Sequence, residues 1–109
     1  MNAKDYLKYY DISEQDKILC PVCEQRIIVD TNHIILRGMG GSTNKFINSM
    51  ANQIPICREC HITFADQPKY YEMLFNKLTN FVKKQATKTG YQEFMKYQTE
   101  IEIIKAKNR

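Results

Sequence analysis

The sequence lacks any apolar run near the roughly 20 residues that a membrane-spanning helix needs. Its polar residues 1–11 contain no apolar stretch of the kind that a secretory signal requires. Internal repeats and low-complexity segments are also missing. We therefore expect a cytoplasmic protein with no membrane partner, whose cysteines serve as metal ligands or reactive thiols instead of disulfides.

The length and the charge point to one domain with a basic end. The 109 residues suffice for a single core, and 43% hydrophobic with 26% charged residues is a globular balance. Residues 69–109 contain nine lysines and arginines but only four acids, whereas residues 1–68 are nearly neutral. Such an extension suits a polyanionic partner, although a solvated helix face would show the same pattern.

The pattern of apolar residues predicts short strands in the middle of the chain and helices at its end. Residues 26–29 and 33–36 are predicted as strands with a turn at 30–32 between them. Residues 68–107 are predicted as two amphipathic helices that Thr89-Gly90 separates, with the apolar face packed in the core. These elements indicate an α+β fold with C-terminal amphipathic helices.

Two cysteine pairs are the strongest chemical signal. In Cys20/Cys23 and in Cys57/Cys60, two residues separate the thiols, a spacing that lets a tight turn aim both sulfurs at one ion. Together they supply the four thiolates of a closed, structural Zn²⁺ site. A redox CxxC pair is the alternative, but two pairs in a short chain favour zinc. Function should be sought in the 33 residues between the pairs.

Two segments of the sequence resemble the HNH nuclease motif in its four-cysteine form. They are Asn32-His33-Ile34-Ile35-Leu36-Arg37 with the glycines behind it, and residues 52–61, which end in Cys60-His61. The resemblance covers about residues 20–66 and implies a ββα-metal core, in which a ribbon, a loop and a helix grip a catalytic ion. Residues 1–109 would then be one HNH nuclease domain, with this core at 18–66 and a basic helical extension at 67–109.

The resemblance also implies catalytic roles. His33 would be the general base that activates water for attack on phosphorus, and Asn52 would brace the loop that carries it. Asn32 and His61 would hold Mg²⁺ or another divalent ion, with water and phosphate oxygens completing its coordination.

Substrate contacts are expected from basic side chains. The resemblance places Arg37 where its guanidinium fork would grip a phosphate, and Lys45 would also contact the substrate. In the basic extension, Lys83, Lys84 and Lys88 form either a DNA-facing patch or a solvated helix face.

Several assignments have rivals within the sequence. Asn32 is neutral where the family often has a carboxylate, and Asp30 is a rival ligand two residues upstream. Asn48 competes with Asn52 as the bracing residue, but the distance from Asn52 to the second cysteine pair fits the motif better. His61 is also a candidate to replace a cysteine at zinc.

The sequence thus predicts a metal-dependent endonuclease that hydrolyses DNA, with structural Zn²⁺ and catalytic Mg²⁺. A non-catalytic zinc ribbon that binds nucleic acid is the first alternative, but it gives no reason for His33, Arg37 and the glycine loop between the cysteine pairs. A junction-resolving nuclease is the second, and such enzymes work as dimers, so a homodimer stays open. By analogy, small proteins of this kind resemble those of phages and mobile elements.

Overall fold

The computed structural model describes residues 8–12, 16–35 and 45–108. In the described part, two strands precede four helices. Their bounds are β1 Asp30–His33, β2 Gln53–Ile56, α1 Arg58–Phe64, α2 Tyr71–Gln85, α3 Lys88–Met95 and α4 Gln98–Lys107. Short 3₁₀ turns at Met50–Asn52 and Pro68–Tyr70 lead into β2 and α2. With a radius of gyration of 12.9 Å, the chain is a small, compact α+β domain, as predicted.

β1 and β2 form a two-stranded antiparallel sheet. Asp30 lies opposite Ile56, and His33 lies opposite Gln53. Every residue of β2 is buried, because this strand packs on α2, whereas β1 runs from an exposed Asp30 to a buried Asn32. The sheet therefore carries polar side chains of β1 from the surface into the interior.

The predicted turn at residues 30–32 is wrong, because these residues belong to β1. Asp, Thr and Asn are poor strand formers, but their backbone groups pair with β2, a partner more than twenty residues away that local propensity does not reveal. The predicted strand at 26–29 is reduced to one bridge, Leu19 to Ile27, and a bond from the Val29 N–H to the Ile56 carbonyl, 3.2 Å. Of the predicted strand at 33–36, only His33 is in β1, and residue 36 lies outside the described residues.

The helical tail is confirmed, but its break lies elsewhere than predicted. α2 ends at Gln85, and α3 begins at Lys88 after the N-cap Thr87. The Thr87 side chain accepts a hydrogen bond from the Gly90 N–H, 3.0 Å, which satisfies a free donor in the first turn. Gly90 is consequently inside a helix and buried.

The apolar face of the tail packs into the core, as predicted. α3 and α4 add Phe94 and Ile101, while Tyr91 and Met95 remain 42% and 45% exposed. Among the described helices, none is long and apolar enough to cross a membrane. The buried residues of α2 are Tyr71, Leu74, Phe75, Leu78, Phe81 and Val82.

Residues 8–12 lie across the junction between α2 and α3. The Tyr9 carbonyl accepts a hydrogen bond from the Thr87 N–H at 3.0 Å, and the Asp11 N–H donates to the Gln85 carbonyl at 2.7 Å. A Cβ atom at Gly90 would overlap the Tyr9 carbonyl. Glycine is required at this position by close backbone approach.

We predict that Gly90→Ala lowers the free energy of unfolding. Alanine would gain about 1 kcal/mol of helix propensity, but overlap with a backbone carbonyl, which cannot rotate away, costs about 1–3 kcal/mol. Urea denaturation with zinc present measures the difference. Thr89→Ala, an exposed change in the same helix, should leave stability equal or slightly higher. A Gly90→Ala variant as stable as Thr89→Ala would contradict the close approach.

Candidate metal centre and the residues around it

The four cysteines come together in the fold. The Sγ atoms of Cys20, Cys23, Cys57 and Cys60 all lie within 4.8 Å of one another, and all four thiols are free. Cys23 Sγ and Cys57 Sγ are 3.8 Å apart, far beyond a disulfide bond. A tetrahedron of Zn–S bonds of about 2.3 Å has an edge of about 3.8 Å. The cluster therefore has the size of a four-sulfur zinc site.

The first pair sits in a tight hairpin, which we call the first knuckle (residues 18–28). The Cys20 N–H donates to the Arg26 carbonyl at 2.7 Å, and the Glu24 N–H donates to the Cys20 carbonyl at 2.8 Å. Glu24 takes a left-handed backbone with φ of 55°, which reverses the chain. The Val22 N–H points at Cys20 Sγ, 3.4 Å. The turn thus aims both sulfurs of the pair inward.

The second pair begins α1. Cys57 is the N-cap residue, and its Sγ accepts from the Cys60 N–H at 3.4 Å. The N-terminus of α1 therefore holds both sulfurs of the second pair close together. The first knuckle therefore supplies two sulfurs of the cluster, and the start of α1 supplies the other two.

The pKa values of the cysteine thiols indicate whether a bound cation would stabilise the cluster. Burial raises the pKa of both Cys20 and Cys60. Burial acts in the same direction on Cys23, but the backbone N–H groups of Gln25 and Arg26, with help from neighbouring thiols, outweigh it and lower the pKa of Cys23 to about 6. The thiols therefore differ: burial opposes the thiolate at Cys20 and Cys60, whereas the surroundings of Cys23 favour it. A dication would offset both desolvation and mutual repulsion, so the donor set fits Zn²⁺.

A charged contact that the sequence did not reveal links the two pairs. Arg26 Nε lies 3.6 Å from Glu59 Oε2, and a hydrogen bond to Cys23 together with the Glu59 charge raises the pKa of Arg26. Both side chains are half exposed, so the ion pair contributes little stability. The guanidinium instead supplies positive charge beside the sulfurs, and its only sequence signal was its position three residues after Cys23.

Asn52 forms hydrogen bonds with two places in the connection between the strands, one near its start and one in its second half. Its Nδ2 donates to the carbonyls of Ile35 and Ile47 at 2.9 and 3.0 Å, and its Oδ1 accepts from the Ile35 N–H at 2.9 Å. The side chain is fully buried. These three bonds fix the chain two residues after His33. Asn48, its rival, is half-buried.

Asp30 and His61 meet at the surface, where β1 starts and α1 passes. His61 Nδ1 lies 3.7 Å from Asp30 Oδ2, and both side chains are accessible to solvent. An open depression of about 380 Å³ lies beside them, lined also by Val29, Arg58 and Ile62. The structure therefore brings the predicted ligand His61 to the rival ligand Asp30. His61 does not belong to the four-cysteine cluster.

The remaining predicted site residues are Asn32, His33, Lys45 and Arg37. Asn32 is 8% exposed, and its Nδ2 is buried without a hydrogen-bond partner among the described residues. Alternation along β1 puts Asn32 on the face of Asp30 and His33 on the opposite one. Lys45 is exposed, and Arg37 lies outside the described residues. Apart from the cysteines, the described part holds no group of three or more His, Cys, Asp or Glu residues arranged for a metal.

We predict one tightly bound zinc ion per chain, with loss of the fold when one ligand is removed. Cys57→Ser should abolish zinc binding and cooperative unfolding, because structural zinc contributes about 10–16 kcal/mol in small domains, as much as a whole domain's stability. Native mass spectrometry and circular dichroism measure both. Ala51→Ser, which also puts a hydroxyl in the core, should destabilise the fold but keep the zinc. A Cys57→Ser protein that retains zinc and stability would refute the site.

We further predict that Asn52→Asp lowers the free energy of unfolding by about 3 kcal/mol. The change removes the donors to the buried carbonyl of Ile47 and the part-buried carbonyl of Ile35, and each unsatisfied group costs about 1–3 kcal/mol. Asn48→Asp should cost clearly less, because that side chain is half-buried. Urea titration of both variants, zinc-loaded, makes the comparison. Equal losses would mean that Asn52 has no special bracing role.

Comparisons with known proteins complete the description of the site. No protein-family model, no curated protein and no solved structure matches the chain.

Proposed function

We propose that the protein is a metal-dependent endonuclease of the HNH type that hydrolyses phosphodiester bonds in DNA. The order β1, β2, α1, with one cysteine pair before the sheet and one at the start of the helix, supports a ββα-metal core stapled by zinc. A zinc ribbon that only binds nucleic acid would need the cysteines but not Asp30, His61 or the bracing Asn52.

The observation that carries the proposal is the meeting of Asp30 and His61. A carboxylate and an imidazole 3.7 Å apart at an open depression are suitable ligands for a divalent ion, and water and phosphate oxygens would complete its coordination. Asn32 lies on the same face of β1, two residues further along, although it is buried and does not line the depression. We therefore propose Asp30 and His61 as the principal ligands, with Asn32 as a third.

The proposed reaction is hydrolysis by an activated water molecule. His33 takes a proton from water through a neutral imidazole nitrogen, and the water oxygen forms a bond to phosphorus. The bond from phosphorus to the 3′-oxygen breaks, and its electron pair leaves with that oxygen, which then takes a proton from solvent. Because His33 lies on the opposite face of β1 from Asp30, the phosphate would lie at the free edge of β1, where it would meet both His33 and a divalent ion held by Asp30 and His61. Such an ion would polarise the phosphate and stabilise the negative charge on the leaving oxygen.

Asn52 acts on this reaction through position alone. Its side chain holds the backbone at Ile35, two residues after His33, so that the end of β1 stays fixed while substrate binds. A base displaced by about 1 Å loses much of its effect, because proton transfer needs hydrogen-bond contact with the water. Asn52 is therefore a positioning residue, and Arg37 and Lys45 stay proposed contacts to the phosphate backbone.

We predict metal-dependent cleavage of supercoiled plasmid and different defects in the base and ligand variants. His33→Ala should lower the maximal rate by about 10²–10⁴-fold with little change in the Mg²⁺ concentration required. Asp30→Asn and His61→Ala should instead raise the Mg²⁺ or Mn²⁺ concentration at half-maximal rate. Gel analysis of nicked and linear DNA across a metal titration measures both quantities.

The control for the ligand variants is Asp66→Asn. Asp66 is another exposed acid near α1, and its left-handed backbone, φ 63°, tolerates asparagine. The Asp66→Asn variant should cleave plasmid like the wild type. If folded, zinc-loaded protein cuts no DNA with any divalent ion, the endonuclease proposal fails and the binding module takes its place. Cleavage unchanged in His33→Ala would remove His33 from the mechanism.

A further inference from the structure

A second surface is built between the first knuckle and α2. A groove of about 580 Å³ runs between residues 17–21 and one side of α2, away from the depression beside His61. Its lining shares no residue with that depression. The buried ring of Phe81 and the knuckle residue Cys20 contribute apolar surface to it. The groove is therefore a feature separate from the proposed catalytic residues.

Four lysines line this groove. Lys17 comes from the knuckle side, and Lys77, Lys83 and Lys84 come from α2, whereas Glu24 is the only acid among the described lining residues. The sequence alone pointed to two of them, Lys83 and Lys84. Lys17 and Lys77 lie outside the patch that the sequence predicts. Folding thus concentrates positive charge where the linear sequence does not.

These lysines have no internal counter-ion in the described part of the chain. None of the four has a hydrogen bond or an ion pair with a described residue. Other lysines of the tail do: Lys96 pairs with Glu93, and Lys105 pairs with Glu102, each at 2.9 Å. Positive charges gathered in one groove repel each other, so an external anion would lower the energy of this arrangement.

The spacing on α2 suits a repeating anion. Lys77 and Lys84 are seven residues apart, so they lie on one face of the helix, two turns and about 10 Å from each other. Lys83 flanks the second of them. A single small anion would meet only one end of this row, whereas a phosphodiester backbone would meet both.

The lysines could also offset the negative charge of the zinc centre instead of binding an external anion. Four thiolates with one Zn²⁺ carry a net negative charge, and nearby lysines would offset it. However, Arg26 already lies beside Cys23 and supplies such a charge on that side of the cluster. Lysines serving only the zinc centre would affect zinc retention, and this can be measured.

We propose that the groove between the first knuckle and α2 binds the phosphate backbone of nucleic acid, as a contact separate from the cleavage site. The identity of the polyanion rests on the proposed function. The groove holds the substrate outside the reacting bond, with Lys77, Lys83 and Lys84 along one wall and Lys17 opposite them.

The test compares two triple variants of equal charge in a His33→Ala background, so that the DNA stays intact. The groove variant is K77Q/K83Q/K84Q, and the control is K8Q/K69Q/K107Q, which removes three exposed lysines that do not line the groove. Binding of a fluorescent 20-base-pair duplex is followed by anisotropy at several salt concentrations without added Mg²⁺. Circular dichroism and zinc content verify folding.

We expect the groove variant to bind at least tenfold more weakly at about 100 mM salt. Each lost phosphate contact lowers the slope of log affinity against log salt by about 0.9, so the slope should fall by about 2 to 3. The control should lose less than threefold, and K77R/K83R/K84R should restore binding. Equal losses in both variants would show a general charge effect and overturn the groove. Loss of zinc in the groove variant would assign the lysines to the metal centre instead.

Two further outcomes separate this inference from the nuclease proposal. Polyglutamate competing as well as DNA would make the partner an acidic protein and overturn the inference. Wild-type protein that binds DNA through the groove but never cuts it would leave the groove standing and remove the nuclease. A groove variant with His33 intact that cleaves plasmid as fast as the wild type would support the nuclease and overturn the groove.

Discussion

Four cysteine sulfurs, drawn from two segments with 33 residues between them, lie within 4.8 Å of one another. This meeting fixes the first knuckle against the end of β2 and the start of α1. Burial opposes ionisation of Cys20 and Cys60, so the cluster is unfavourable for the protein alone and favourable with a dication. The sheet has only two strands, a size that rarely stands without support. The packing of β2 on α2 provides part of that support, and a zinc ion held by the four cysteines would provide the rest.

A second constraint acts inside the connection between the strands. Asn52 is fully buried and polar, and such a residue is tolerated only when its donors and acceptor have partners. It finds them in the backbone at Ile35, near the start of the connection, and at Ile47, in its second half. A zinc ion at the cysteine cluster would thus fix one end of the sheet, and Asn52 fixes the other end. His33 lies between these two points of attachment.

The sequence predicted the features that depend on spacing and missed those that depend on distant partners. The cysteine spacing located the cluster, and the helical period located the core face of α2. The sequence predicts a turn at residues 30–32, which instead belong to β1, because the stability of this strand comes from its pairing with β2 and not from its own residues. Gly90 was read as a helix break, because its close approach to Tyr9 joins positions far apart in the sequence. For the same reason the meeting of Asp30 and His61 appears only in three dimensions.

The first knuckle connects the two surfaces that we propose for function. It leads directly into β1, which carries Asp30 and His33, and its other side forms a wall of the lysine-lined groove. Loss of zinc would release this segment and disturb both surfaces together. Chelation alone therefore cannot tell binding from catalysis, since either would fail with the fold. Side-chain changes that leave the cysteines intact separate them, because the groove acts through long, exposed lysines and the cleavage site through short side chains fixed on β1 and α1.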